Sequence, residues 1–182
     1  MRRRGLLAVT GLCVVFLTVS GIVRAAEPPV GELTYIIRNS DGRILLNVID
    51  LYNGEERTIS NNFEDWFNGL TWSDDGLYVV FVGLGGDLWS AYTSSTSVNY
   101  YENLTNGSFA GYHPAWSPNG KYIATVSKGQ VYIVSSGGTG AVQLTFWDTD
   151  NDTSLYAMNP SWSPDSSHIV YSIKEGEIYT MD

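Results

Sequence analysis

Three stretches of the sequence match one another: Leu70–Val82 reads LTWSDDGLYVVFV, Pro114–Val126 reads PAWSPNGKYIATV, and Pro160–Ser172 reads PSWSPDSSHIVYS. Their Trp-Ser pairs are 44 and 46 residues apart, close to the period of about 40–45 residues for a four-stranded propeller blade. The repeat therefore predicts an all-β fold, a β-propeller of four-stranded antiparallel blades. Its tryptophans, which we expect to be structural residues wedged between adjacent blades, are Trp72, Trp116 and Trp162.

The order of elements within a repeat can be read from its turn residues. A short strand ends on Trp-Ser, and Pro118-Asn119-Gly120 then supplies a fixed φ followed by a residue that tolerates positive φ. A run of β-branched and aromatic residues follows as the second strand. In the last repeat Pro164–Ser167 has no glycine, so we expect its turn to be strained or of another type.

The repeat predicts blades at about 33–60, 70–105, 114–145 and 160–182. The first lacks an opening Trp-Ser turn and the last ends with its third strand, which gives two complete and two partial blades. A propeller ring typically has four to eight blades and an open one exposes strand edges. The sequence therefore predicts a truncated or split gene with further blades missing, or a ring completed by homo-oligomerisation. Truncation is favoured, because terminal repeats are normally adapted as caps.

The first 26 residues have the pattern of an export signal. Arg2, Arg3 and Arg4 precede an apolar stretch from Leu6 to Val23, and the small residues Ala25 and Ala26 offer a cleavage position. We expect a signal peptide at 1–26 and a partial propeller domain at 27–182, in a periplasmic or secreted protein. The alternative is an uncleaved membrane anchor with the domain outside, since 18 apolar residues reach the lower limit for a span.

The expected mature part is acidic and has no cysteine. Residues 27–182 hold six basic and 19 acidic residues, a formal net charge of −13. Such a surface repels nucleic acid and favours a basic partner, although acidity also serves solubility alone. Because Cys13 lies in the signal, disulfides, thiolate metal sites and a cysteine nucleophile are excluded from the domain.

Residues that could bind a ligand lie in the loops between blades, because these loops differ from one another. They read NNFEDWFNG (61–69), NGSFAGYH (106–113) and FWDTDNDTSLYAMN (146–159). Their aromatic side chains could contact a protein or peptide, and they could equally fill the gaps between blades. The predicted ligand-binding residues are Trp66, Phe109, Tyr112, Trp147 and Tyr156.

The loop Asp148-Thr149-Asp150-Asn151-Asp152 spaces its carboxylates as a calcium loop does. However, Thr153 stands where the EF-hand pattern requires glycine, and Asn159 where it requires the bidentate glutamate. The prediction is no cofactor, with Asp148, Asp150 and Asp152 as candidate calcium ligands in what is otherwise a solvated acidic loop.

The repeat as written, WSPNGKYIAT followed by QVYIV and QLT, resembles the periplasmic TolB-type propeller repeat. The same repeat occurs in the propeller domains of prolyl oligopeptidase and dipeptidyl peptidase IV relatives. The resemblance covers about residues 33–182 and implies a TolB-like six-bladed architecture and a role in periplasmic protein interaction. TolB carries a separate α/β domain ahead of its propeller, which has no counterpart in this sequence.

The sequence thus predicts a non-catalytic exported propeller that binds a protein or peptide through its inter-blade loops. No Gly-x-Ser-x-Gly elbow, phosphate-binding loop or His-Glu-x-x-His pair occurs. The alternative is a propeller domain severed from a prolyl oligopeptidase-type or dipeptidyl peptidase-type serine peptidase. Fold and function are separate questions here, because propellers carry unrelated activities.

Overall fold

A computed structural model describes residues 18–20, 31–38, 40–41, 43–63, 69–93 and 101–182. These residues form four antiparallel sheets, in each of which consecutive strands are neighbours. The predicted all-β blade architecture is therefore confirmed. Within the described ranges, no helix has the length and apolar character needed to span a membrane.

The four sheets are called blades one to four, in chain order. Blade one holds β1 (Thr18–Ser20), β2 (Glu32–Arg38), β3 (Ile44–Asp50) and β4 (Glu56–Phe63); blade two holds β5 (Leu70–Trp72), β6 (Tyr78–Val82), β7 (Leu88–Tyr92) and β8 (Tyr101–Asn103); blade three holds β9 (Tyr112–Trp116), β10 (Tyr122–Ser127), β11 (Gln130–Ser135) and β12 (Ala141–Gln143); blade four holds β13 (Ala157–Trp162), β14 (Ile169–Ile173) and β15 (Ile178–Met181). The first strand of each blade contacts the first strand of the next, from β1 to β13.

Blade one has one strand more than the sequence predicts. Thr18–Ser20 pairs antiparallel with Glu32–Thr34 and takes the position that β5 and β9 hold in the following blades. This segment lies within residues 1–26, where we expect a signal peptide or anchor. The rest of that segment, 1–17 and 21–26, lies outside the described residues, and cleavage stays a prediction.

The second strand of each blade divides its side chains between two cores, as strand geometry requires of successive residues. In β6, Val79 and Phe81 pack against blade one, whereas Val80 and Val82 pack towards blade three. All four are at most 2% exposed. A third core lies between blades three and four. It includes Val126, which lies on the face of β10 that is turned towards blade four. Each interface between blades thus has its own apolar core.

The repeated tryptophans lie at these interfaces. Trp72 belongs to the core between blades one and two, and Trp116 packs against the core between blades two and three. Trp162 packs against the last core, and its indole Nε1 donates to the carbonyl of Ala115 in blade three at 3.0 Å. Each tryptophan therefore packs against the preceding blade.

The residues that follow each tryptophan close a hydrogen-bonded turn. The Ser73 hydroxyl donates to Asp75 Oδ1 at 2.5 Å and accepts from the N–H of Tyr78 at 2.9 Å, while Asp75 Oδ1 accepts from the N–H of Leu77 at 3.0 Å. In blade three, Ser117 and Asn119 make the equivalent bonds. The two repeats thus share a serine that bridges both ends of the turn and an Asp or Asn side chain that accepts a hydrogen bond at its tip.

The turn of blade four has the same hydrogen bonds without a glycine. Ser163 donates to Asp165 Oδ1 at 2.6 Å and accepts from the N–H of His168, so the turn is not of another type. Ser166 takes the position of Gly120 with a φ of 61°, a left-handed conformation that costs a non-glycine residue about 1–2 kcal/mol. Its hydroxyl accepts from the N–H of Asn119 in the turn of blade three at 2.9 Å, and this bond offsets the strain.

Substitutions at Ser166 should separate these two effects. Ser166→Ala keeps the strained φ and loses the bond to Asn119, so its free energy of unfolding should fall by about 1 kcal/mol. Ser166→Gly loses the same bond and relieves the strain, so its stability should stay within about 0.5 kcal/mol of the wild type. Urea unfolding of the three proteins measures both effects. Equal stability of the alanine variant and the wild type would contradict the role of this bond.

Candidate functional site

The loops that join consecutive blades lie on one face, together with the turns between second and third strands. The N–H of Gly111 donates to the carbonyl of Gly86 at 2.7 Å, and the N–H of Ala157 donates to the carbonyl of Gly129 at 2.9 Å. A Cβ on Gly86 would lie 2.7 Å from the Cβ of Ala110, so glycine permits this approach. Backbone hydrogen bonds therefore join neighbouring blades on the face that the sequence predicts as the ligand surface.

Asp87 holds the loop between blades two and three. Its carboxylate accepts from Asn103 Nδ2 and Thr105 Oγ1, both at 2.8 Å, and from the N–H of Gly107 at 2.7 Å. Thr105 Oγ1 in turn accepts from the N–H of Leu88 at 3.0 Å. The Asn-Leu-Thr sequence at the end of the fourth strand thus ties the loop to the third strand.

Gln130 holds the loop between blades three and four. Its Oε1 accepts from Thr145 Oγ1 at 2.9 Å and from the N–H of Trp147 at 3.0 Å, and its Nε2 donates to the carbonyl of Trp147 at 2.8 Å. Thr145 Oγ1 accepts from the N–H of Val131. These bonds hold the hydroxyl of Thr145 and the backbone of Trp147, the residues on either side of Phe146.

Two of the predicted ligand-binding aromatics are packing residues. Phe109 is partly buried against the core between blades two and three, with its ring edge-on to Tyr132 at a centroid distance of 4.8 Å. Trp147 is half-buried and edge-on to Tyr179 at 5.3 Å. For these two the alternative that aromatics fill gaps between blades describes the structure better. Trp66 lies outside the described residues.

Among the described residues, the exposed aromatic side chains on this face are Tyr112, Phe146 and Tyr156. Their exposed fractions are 40%, 81% and 38%, respectively. Tyr112 starts β9 and Tyr156 directly precedes β13. These two strands, the first of blades three and four, are neighbours. Together with Asp148, Asp150 and Asp152 these three aromatics are called the loop surface below.

Two of the three aspartates of the loop surface form hydrogen bonds within the loop itself. Asp148 accepts from Asn151 Nδ2 at 3.0 Å, and Asp152 Oδ1 accepts from the N–H of Ser154 at 2.9 Å at the start of a 3-10 turn, Thr153–Leu155. The hydrogen bonds from Ser154 lower the pKa of Asp152. In the part of the chain that the structure describes, no three His, Cys, Asp or Glu side chains converge as metal ligands, so the aspartates are not brought together around a calcium position.

A left-handed residue lies at or near the start of the first strand in blades two, three and four. Gly69 has a φ of 99°, His113 of 52° and Asn159 of 50°. In β9 and β13 the register shifts near these residues, as at a β-bulge. Burial lowers the pKa of His113, because the partly enclosed imidazolium loses hydration.

A concave feature lies on the opposite face, between blades two and three. It is a cleft of about 490 Å³ beside the Trp-Ser turns. Side chains that line it are Asp74, Asp75, Tyr78, Ser90 and Glu102 from blade two and Trp116 from blade three. None of the four predicted ligand-binding residues that the structure describes lines this cleft.

Sequence reasoning missed the cleft because it sought unlike residues only in the loops. Comparison of equivalent strand positions would have found it. Ser90 pairs with Glu102 in blade two, as Ile133 pairs with Val142 in blade three. The same position in the two blades therefore carries a carboxylate in one and an apolar side chain in the other.

The lowered pKa of His113 predicts a contribution to stability that is lost on acidification. Below the unfolded-state pKa of about 6.5 the unfolded chain binds a proton that the folded state resists, so folding stability falls as the pH decreases. His113→Asn keeps a residue that tolerates the left-handed φ. Its loss of stability between pH 7.5 and 5.0, measured by urea unfolding, should be smaller than that of the wild type. His168→Asn, at the other histidine, should retain the larger loss; equal losses in H113N and wild type would contradict the prediction.

Comparisons with known proteins bear on the fold. No protein-family model matches the chain. It is 25% identical over 110 residues to the uncharacterized protein YidR of Escherichia coli K12, which covers 60% of this chain and 26% of that protein. Three solved structures resemble it, each at a probability of 1.00.

The first two are TolB structures. The putative TolB of Agrobacterium tumefaciens matches with a TM-score of 0.65 and 19% identity, over 83% of this chain and 57% of that one. TolB of Acinetobacter baumannii matches with 0.65 and 18%, over 84% of this chain and 39% of that one. The tricorn protease matches with 0.55 and 12%, over 77% of this chain and 14% of that one. The chain thus spans little more than half of the first of these structures, and it has a TolB-like β-propeller fold.

Proposed function

We propose that this chain is an exported, non-catalytic β-propeller that binds a protein or peptide through the loop surface. The observation that carries the proposal is Phe146, which is 81% exposed between Thr145 and Trp147, the two residues that Gln130 binds. Removing an exposed apolar ring from water favours binding, and an ordered backbone on either side of it lowers the entropy cost. Aromatic anchors that become buried dominate the binding energy of interfaces.

The charge of the surface favours a basic partner. Asp148, Asp150 and Asp152 are exposed beside Phe146, and residues 27–182 carry a formal net charge of −13. A negative field of this size accelerates the approach of a positively charged segment and falls with ionic strength. Tyr112 and Tyr156 add amphipathic contact area at the ends of neighbouring strands.

Export and the absence of catalysis belong to the proposal. The basic and apolar segment at 1–26 supports export, and a periplasmic or secreted location follows from it. The loop surface supports binding rather than catalysis, because two of its three carboxylates, those of Asp148 and Asp152, close their own loop and its other groups are aromatic rings.

A selected peptide tests the loop surface directly. A random peptide library is panned against the chain, and the affinity of the best peptide is then measured by calorimetry. Phe146→Ser should weaken binding at least about tenfold, since loss of a central aromatic anchor costs 2 kcal/mol or more. Val142→Ser is the matched control, because Val142 is also an exposed apolar residue but lies on β12, away from the loop surface.

The control should bind within about twofold of the wild type. Equal losses in the two variants, or failure to select any peptide, would contradict a binding role for this surface. Neutral or acidic selected peptides would contradict the preference for a basic partner.

A further inference from the structure

The cleft between blades two and three has the size of a ligand site. Its volume is about 490 Å³, within the range of about 300–1,000 Å³ for small-molecule pockets. Side chains from the turn and outer strands of blade two form one wall, and the Trp-Ser turn of blade three forms the other. It lies at the rim opposite to the loop surface, so it is a separate feature.

The acidic character of this cleft is not part of the blade repeat. Asp74 and Asp75 correspond to Pro118 and Asn119 in the turn of blade three, and Glu102 corresponds to Val142. Blade folding needs only the acceptor at the second of these positions, which Asn119 supplies equally well. The carboxylates of Asp74 and Glu102 are therefore not required by the fold.

These two carboxylates also have no partner within the described residues. No hydrogen bond or ion pair from either is found there, and no Lys or Arg lines the cleft. Asp75, in contrast, is committed to the turn through Ser73 and Leu77. Two carboxylates on one wall without a cation raise the local negative potential and favour a positively charged ligand.

An aromatic pair stands beside the carboxylates. The rings of Tyr78 and Trp116 lie 6.3 Å apart between centroids with planes tilted by 34°, and the ring centroid of Tyr92 lies 5.2 Å from that of Tyr78. Aromatic faces attract cations, and indole does so most strongly. Carboxylates and aromatic faces around one cavity are the combination that binds guanidinium and ammonium groups.

We infer that this cleft binds a cationic amine or guanidinium group, held by Asp74 and Glu102 against the rings of Tyr78 and Trp116. The ligand is an arginine- or lysine-bearing peptide segment or a free polyamine, which share this chemistry. The inference does not depend on the loop surface, and each site can be removed without the other.

Calorimetry on the full chain at low ionic strength tests the site with defined probes. They are the capped tripeptide Gly-Arg-Gly, its neutral citrulline counterpart, and spermidine. The citrulline peptide should bind at least about tenfold more weakly than the arginine peptide, because it has the same shape without the charge. Whichever of the arginine peptide and spermidine binds more tightly identifies the source, and each should compete with the other.

A matched pair of double variants separates the site from the general charge. Asp74→Asn with Glu102→Gln should weaken the arginine peptide about tenfold. Glu55→Gln with Glu175→Gln removes the same charge from exposed positions on blades one and four and should change affinity less than about twofold. Melting temperatures of both double variants verify that they fold.

Equal weakening by the two double variants, or equal affinity of the arginine and citrulline peptides, would overturn the inference. The peptide selected on the loop surface provides a further arm. Its affinity should be unchanged by D74N/E102Q, so failure of the loop proposal and failure of the cleft proposal are distinguishable.

Discussion

A blade with a neighbour on each side buries two apolar faces, and it is the neighbouring blades that remove those faces from water. Alternation along β6 sends Val79 and Phe81 into one core and Val80 and Val82 into the next, and each core of the described residues draws on two blades. The repeated tryptophans follow from this requirement, because each fills the space between the innermost strands of its blade and the sheet before it. Burial of apolar area at about 25 cal/mol per Å² is the main driving force for folding, so the stability of one blade depends on the presence of its neighbours.

Because the cores between blades hold the fold together, the exposed residues at the two ends of each blade can vary in sequence. The turns are closed by local hydrogen bonds, through Ser73 and Asp75 at one rim and through Asp87 or Gln130 at the other, and these bonds do not constrain the exposed side chains beside them. Phe146 and Glu102 occupy such unconstrained positions. The loop surface and the cleft therefore lie on opposite faces of the blades, whose core packing repeats from one interface to the next.

Much of the fold could be predicted from the sequence, because the Trp-Ser turn, the β-branched runs and the spacing are local patterns. What could not be predicted depends on contacts between blades. The hydroxyl of Ser166 bonds to a turn 47 residues away, which explains a turn without glycine. Phe109 and Trp147 were predicted as ligand contacts, but they pack between blades, since loop aromatics look alike in sequence whether they face solvent or a core. The cleft was missed because Glu102 approaches Trp116 only when two blades pack.

The comparison of Val131 with Ile178 tests the dependence of one blade on the next most directly. Both residues hold the first apolar position of a third strand, but Val131 is fully buried towards blade four, whereas Ile178 is 73% exposed on the last blade. Val131→Thr should reduce the free energy of unfolding by about 2 kcal/mol, because it buries a hydroxyl. Ile178→Thr should change it by less than about 0.5 kcal/mol. Equal losses of unfolding free energy in urea would contradict the account, because the stabilisation from this position would then not depend on the neighbouring blade.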